Sequence, residues 1–189
     1  MENQKTNRPA ALELLDWVRS LAVAAVAVVL LFTFVGRTHT VSGPSMLPNF
    51  HDGDLLVGSH LFYDPQPGDV VFLDPDPGSG KGIAYIKRVI AVEGQTVDID
   101  FTTGEVTVDG QVLDEPYINE PTYTDEGVQF PVTVPENCVF VLGDNRNNST
   151  DSRHPDVGMV DKRQIIGKGL VRLLPLGDFG LIRSARYDG

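Results

Sequence analysis

In IAYIKRVIAV, residues 83–92, a lysine and an arginine stand side by side inside a run of mostly apolar residues. A strand turns alternate side chains to opposite faces. Lys87 therefore shares a face with Tyr85, Val89 and Ala91, and Arg88 shares the other with Ile86 and Ile90. The same short β-prone pattern continues in both directions, predicting strands at 54–58, 69–73, 83–92, 96–100, 105–108, 128–134, 138–142 and 165–173, parted by Gly, Pro and Asp. In EVTVDGQVL, residues 105–113, Asp109-Gly110 between alternating residues predicts a tight hairpin with a structural role. Residues 161–164 predict a short helical turn. DPDPGSGKG, residues 74–82, predicts a loop; Gly82 replaces the Ser or Thr that a phosphate loop needs and Pro75 its first Gly, so nucleotide binding is excluded. Everything after Thr38 reads as mainly β.

Upstream, LAVAAVAVVLLFTFV, residues 21–35, has no charge and one hydroxyl. With Trp17 and Ser20 before it, the stretch approaches the roughly 20 residues that span a bilayer. It predicts one transmembrane helix and three regions: a cytoplasmic segment at 1–18, an anchor at 19–36 and a β-domain at 37–189. Lys5, Arg8 and Arg19 precede the run and only Arg37 follows closely. The positive-inside rule then leaves the N-terminus in the cytoplasm and the β-domain outside, in a single-pass protein of the cell membrane. A cleaved secretory signal is the alternative, although Gly36, Arg37 and Thr38 make no convincing small-x-small exit.

Composition narrows the function. With Lys+Arg 15 against Asp+Glu 26 and a net charge of -11 over 189 residues, the chain lacks the clustered basic residues that nucleic acid requires. Cys138 is the single cysteine, which excludes an internal disulfide; lying in CVFVL, it reads as a small core residue. His39, His51, His60 and His154 are scattered, and with one cysteine they assemble no structural zinc pattern.

Three stretches carry possible chemistry. In VSGPSMLPNF, residues 41–50, Pro44 and Pro48 stiffen the backbone around Ser45 and Gly43 permits close approach of another chain. A serine hydroxyl needs a base within hydrogen-bond reach and donors for the developing oxyanion. On these residues alone a plain surface turn is the favoured reading. Lys87, if held among its apolar neighbours, is desolvated and its pKa falls toward that of a general base; the alternative is a lysine that snorkels to solvent. LGDNRNNSTDSRHP, residues 142–155, gathers Asp, Asn, Ser and Arg after the apolar strand, a density that suggests a hydrogen-bonded scaffold. His154 beside Asp156 reads as a surface histidine rather than part of a Ser-His-Asp triad.

Taken in order along the chain, SGPSMLP, PGDVVF (residues 67–72), YIKRVIAVEGQ, GDNRNNSTDSR (residues 143–153) and GKGLVRLLPL (residues 167–176) resemble the motifs of the type I signal peptidases, membrane-anchored serine proteases with a Ser-Lys dyad. The resemblance implies a signal-peptidase-like antiparallel β fold behind one N-terminal transmembrane helix. It implies Ser45 as nucleophile, Lys87 as general base and Ser149 as the hydroxyl that orients the Lys87 amine. Asp151 and Arg153 would brace that loop, and Asp144 would pair with Arg88 on the face opposite Lys87. The Ser45 N–H would hold the oxyanion; where some members place a serine hydroxyl two residues earlier this chain has Gly43, which suggests a backbone contribution there. Asn49-Phe50 and Glu93-Gly94-Gln95 depart from the family's usual residues at sites of packing and turns.

The implied substrate is a signal-bearing preprotein, extended between the strand of Val41, Ser42 and Gly43 and that of Ala84, Tyr85 and Ile86. Shallow pockets shaped by Tyr85 and Ile86 would favour cleavage after Ala-x-Ala-like sequences. No cofactor and no metal are expected. The other implied partners are the lipid bilayer and, by proximity, the secretion translocon.

Overall fold

The computed structural model describes residues 10–34, 36–74 and 84–187. The chain divides into two compact units, Met1–Gly36 and Arg37–Gly189. In the first, α1 runs from Ala10 to Phe34, and its described side chains, residues 12–28, are exposed throughout, Leu14, Trp17, Leu21 and Val23 among them. Among the described residues no helix is long and apolar enough to cross a membrane. The apolar run at 21–35 ends on Val35, which lies outside the described residues, as do residues 75–82 of the sequence-predicted loop and residue 83, the first of the strand expected at 83–92.

The second unit is mainly β. Its strands are β1 (Arg37–Thr40), β2 (Leu55–Ser59), β3 (Val70–Leu73), β4 (Tyr85–Val92), β5 (Thr96–Asp100), β6 (Glu105–Val108), β7 (Gln111–Val112), β8 (Val132–Thr133), β9 (Cys138–Leu142), β10 (Val160–Asp161), β11 (Ile165–Leu174) and β12 (Gly180–Leu181). Eight of them form one antiparallel sheet in the order β1-β2-β11-β3-β4-β9-β10, with β12 added to β11; the others form a smaller sheet in the order β7-β6-β5-β8. The β6–β7 hairpin turns on Asp109 and Gly110, at φ 53° and 78°, the pair of left-handed residues that a type I′ turn requires. The strand expected at 128–134 is reduced to Val132–Thr133. Strand β1, RTHT, carries no apolar pattern and was not expected; it forms through its pairing with β2, Arg37 opposite Gly58 through Thr40 opposite Leu55. The helical turn is a single 3-10 turn at Lys162–Gln164, with Asp161 as a capping box.

Apolar side chains gather in three clusters. One lies between the small sheet and one face of β4 and β9, with Ile90, Ala91, Val97, Ile99, Phe140 and Leu142. A second, Val41, Met46, Phe50, Leu56, Val70, Phe72 and Ile86, anchors the turn that carries Ser45. The third contains Val71, Leu73, Val89, Val139 and Val141. Strict alternation would place Ala91 on the face of Lys87 and Val89. A bulge between Val89 and Ala91 in the β4–β9 ladder turns Ala91 to the other side instead, into the cluster with Ile90.

Candidate active site

Ser45 lies in a turn between β1 and β2, closed by Leu47 N–H donating to the Pro44 carbonyl at 3.1 Å and by Asn49 and Phe50 N–H donating to the Met46 carbonyl at 3.0 Å each. Met46, fully buried, fastens this turn to the core and leaves Ser45 partly accessible. On β4, Lys87 is 4% exposed. Its Nζ donates to Ser45 Oγ at 2.9 Å and to the carbonyl of Ile86 at 3.1 Å. Burial lowers the Lys87 pKa to about 8, against the negative charges of Asp151, Asp144 and Glu126 and with the help of Arg153. The amine is thus within reach of its neutral form near physiological pH.

The loop from Gly143 to Arg153 closes over this pair. Asn145 N–H donates to the Ser45 carbonyl at 3.0 Å and its side-chain amide to the Pro44 carbonyl at 3.1 Å. The loop is in turn held by buried ion pairs. Arg153 Nε and Nη2 each reach Asp151 at 2.9 Å, and the Gly143 N–H donates to Asp151 Oδ2 at 2.9 Å. Arg88, pointing away from Lys87, grips Asp144 with Nε at 2.8 Å and Nη2 at 2.6 Å and stacks over the Tyr117 ring at 4.1 Å. Gly143 is needed for closeness: a Cβ there would come within 2.5 Å of the Ser45 carbonyl oxygen and the Ser149 Cβ, and closer still to Ser149 Oγ.

Three expected contacts take another form. Ser149 Oγ is buried and makes no hydrogen bond among the described residues, while the Lys87 amine donates to Ser45 and to the Ile86 carbonyl. The Gly43 N–H, at a φ of +83°, donates to Asp52 Oδ1 at 2.8 Å and is not available to an oxyanion. Val41 is buried, with its N–H donated to the Asp54 carbonyl and its carbonyl accepting from Gly53, which leaves Ser42 as the exposed residue of that stretch. On the other side, β9 pairs with β4 only from Arg88 onward, so among the described residues Tyr85–Lys87 has β3 as its one strand neighbour. Tyr85 is half-exposed, Ala84 partly exposed and Ile86 buried.

The family model for signal peptidases, peptidase S26, matches residues 14–174. This chain belongs to the signal peptidase family. It is 41% identical over 176 residues to the probable signal peptidase I-1 of Synechocystis, covering 88% of this chain and 86% of that one. To the signal peptidase I of Bacillus licheniformis it is 33% identical over 187 residues, covering 94% and 96%. A solved signal peptidase I from Enterococcus faecalis aligns with 56% of this chain and 97% of its own at 29% identity, with a TM-score of 0.43. The chain is accordingly a serine peptidase, a hydrolase.

Several residues of this signal peptidase brace the site in roles that sequence spacing does not assign. Arg146, fully buried, links its loop to Glu115 at 2.9 and 2.6 Å and to the Gly143 carbonyl at 3.0 Å. Asn49 bridges the turn that carries Ser45 to the Tyr117 carbonyl at 2.6 Å and to Asp144 at 2.8 Å. The polar density of residues 142–155 announces a network, but Glu115 and Tyr117 come from an ordinary-looking loop. His154 accepts a hydrogen bond from the Asp156 N–H at 3.2 Å, and this local turn is the hydrogen bond its Nδ1 makes. Cys138 is partly buried at the edge of the core.

Proposed function

We propose that Ser45 and Lys87 form the catalytic dyad with which this signal peptidase removes N-terminal signal peptides from exported preproteins, cutting after small-x-small sites of the Ala-x-Ala kind. The observation that carries this reading is the 2.9 Å contact between Ser45 Oγ and an amine buried on β4. Once neutral, Lys87 accepts the Ser45 proton as Oγ attacks the scissile carbonyl, returns it to the leaving amine, and then draws a proton from the water that releases the acyl-enzyme. The Ser45 N–H faces the oxyanion. Ser149, its hydroxyl buried and unpartnered at rest, takes the Lys87 amine as it turns from Ser45, and Asp151, Arg153, Asp144 and Arg88 hold the loop in place. The substrate lies extended along the Ala84, Tyr85 and Ile86 edge, where β4 lacks a second strand neighbour, with Ser42 opposite.

The anchor reading belongs to the same proposal. The described side chains of α1 beyond Arg19, residues 20–28, are all exposed and, Ser20 apart, apolar, a pattern suited to a bilayer rather than to water. The N-terminus is then cytoplasmic, the β-domain lies outside the cell membrane, and the partners are the bilayer, exported preproteins and the neighbouring translocon. The test is cleavage of a signal-bearing preprotein by wild type, Ser45→Ala and Lys87→Met in detergent, with the product termini read by mass spectrometry. Cleavage after a small-x-small site by wild type, abolished in both variants, is expected; retained cleavage by Lys87→Met overturns the dyad.

A further inference from the structure

Tyr117 stands in the connection between β7 and β8 and belongs to none of the three apolar clusters. It nevertheless touches every element that builds the site. Its backbone carbonyl accepts the Asn49 side-chain amide at 2.6 Å, and Asn49 belongs to the turn of Ser45. Its ring lies against the Arg88 guanidinium at 4.1 Å, and Arg88 is the neighbour of Lys87 on β4. Its hydroxyl donates to Glu115 Oε1 at 2.8 Å, the same oxygen that receives Arg146 Nη2 at 2.6 Å from the loop of residues 143–153. Two residues on, the Asn119 N–H donates to the Asp144 carbonyl of that loop at 3.0 Å.

The end of the chain closes this joint. The hydroxyls of Tyr187 and Tyr117 are hydrogen-bonded to each other at 2.8 Å. Residues 182–187 are themselves fastened to the large sheet, because the Ile182 N–H donates to the Leu170 carbonyl at 2.9 Å and the Ala185 N–H to the Gly68 carbonyl at 3.0 Å. That Gly68 carbonyl also accepts Arg88 Nη1 at 2.9 Å. Arg88 thus has Tyr117 against its face, Asp144 on two nitrogens and the fastening point of the C-terminal strap on the third.

The contact between Lys87 Nζ and Ser45 Oγ, 2.9 Å long, leaves the hydrogen-bonding range once the atoms part beyond about 3.2 Å. Backbone pairing does not set that distance. Ser45 comes from the turn between β1 and β2, and in the sheet β11 and β3 separate β2 from β4. We propose that Tyr117 is a positioning residue of this peptidase, which holds the turn of Ser45, the strand of Lys87 and the loop of residues 143–153 in register so that hydroxyl and amine meet. The inference rests on Ser45 and Lys87 being the dyad. Adjacent residues of a strand share one backbone, so a grip on Arg88 is a grip on the base of the Lys87 side chain.

The test uses the full-length enzyme with 15N-labelled lysine and reads the Lys87 amine resonance together with kcat and KM. Tyr117→Leu removes the ring and the hydroxyl, Tyr117→Phe the hydroxyl alone, and Asn49→Ala frees the turn of Ser45 from the same carbonyl. Each is expected to move the Lys87 resonance in the direction in which Ser45→Ala moves it, Tyr117→Phe the least. The kcat should fall about tenfold in Tyr117→Leu and about threefold in Tyr117→Phe, with KM within about twofold, because the reacting groups are displaced and the substrate edge is not. Should Tyr117→Leu fail to fold, the other two variants carry the test. Gly110→Val, which strains a distant turn, is the control for lost stability. A Lys87 resonance that stays in place in the Tyr117 and Asn49 variants, or moves as far in Gly110→Val, overturns the proposal and marks Tyr117 as merely structural. A resonance that moves while kcat holds overturns instead the assignment of Ser45 and Lys87 as the dyad.

Discussion

At the scale of single residues the chemistry depends on how dry the Lys87 amine is. Burial brings its pKa to about 8, and in the proposed dyad the working form is the neutral one. The kcat/KM of the wild type should therefore rise with pH through about 8 and fall about tenfold per unit below it, a profile measurable with a fluorogenic signal-site peptide. Ser149 makes a separate prediction. Because its buried hydroxyl has no partner, Ser149→Ala should leave the Tm unchanged or slightly raised while lowering kcat by about tenfold or more; thermal unfolding and steady-state kinetics on one preparation check both halves. The apolar neighbours of Lys87 in IAYIKRVIAV allowed a buried amine, but a strand lysine more often snorkels to solvent, and it is the fold that buries this one. The idle Ser149 hydroxyl was not foreseeable, because it depends on where the amine of Lys87 points, and sequence spacing carries no such information.

Among the elements, the turn of residues 41–50 and the loop of residues 143–153 meet at a spacing that Gly143 alone allows. Gly143→Ala should displace Ser45 and Ser149 against one another, lowering kcat/KM about a hundredfold with a stability loss of about 1–3 kcal/mol. By contrast, Gly110→Val in the β6–β7 turn should destabilise by about 1–2 kcal/mol, since Gly110 has a φ of 78°, and leave kcat/KM unchanged. Urea denaturation alongside peptide cleavage separates the two cases. Strands with a regular alternation or a Gly-bounded apolar run were legible: 96–100, 105–108 and 138–142 hold to the residue. Those made by pairing rather than by pattern were not. RTHT joins the sheet because β2 lies beside it, and the bulge at Ile90 follows from the β4–β9 register, neither of which leaves a local trace.

For the molecule as a whole, the buried charges trade stability for placement. The folded-state Lys87 pKa of about 8 lies below its ordinary 10.5, so between these values the unfolded chain binds more protons and stability climbs with pH; below about 8 the cost is fully present. Lys87→Met should flatten that rise and stabilise the fold at pH 7 by up to about 3 kcal/mol, as chemical denaturation across the pH range would read. Removing one partner of the Arg88–Asp144 pair does the reverse: Asp144→Ala strands a guanidinium that is 3% exposed and should cost about 3–5 kcal/mol. The mainly β character could be read from turn punctuation and β-prone runs, and the antiparallel arrangement was implied by the family resemblance. The Arg146–Glu115 link across the molecule could not, because 31 residues separate its ends.

The clasp of Asn145 on the Ser45 carbonyl joins two points a hundred residues apart in the chain. Synthesis runs from the N-terminus, so the nucleophile is made first, its base later and its scaffold last. A chain still being made holds a serine with no amine beside it, then an amine with nothing to seat the serine against it. On the proposed dyad, peptide-cutting power arrives only after Arg153 has left the ribosome and the loop of residues 143–153 has folded against the turn of Ser45.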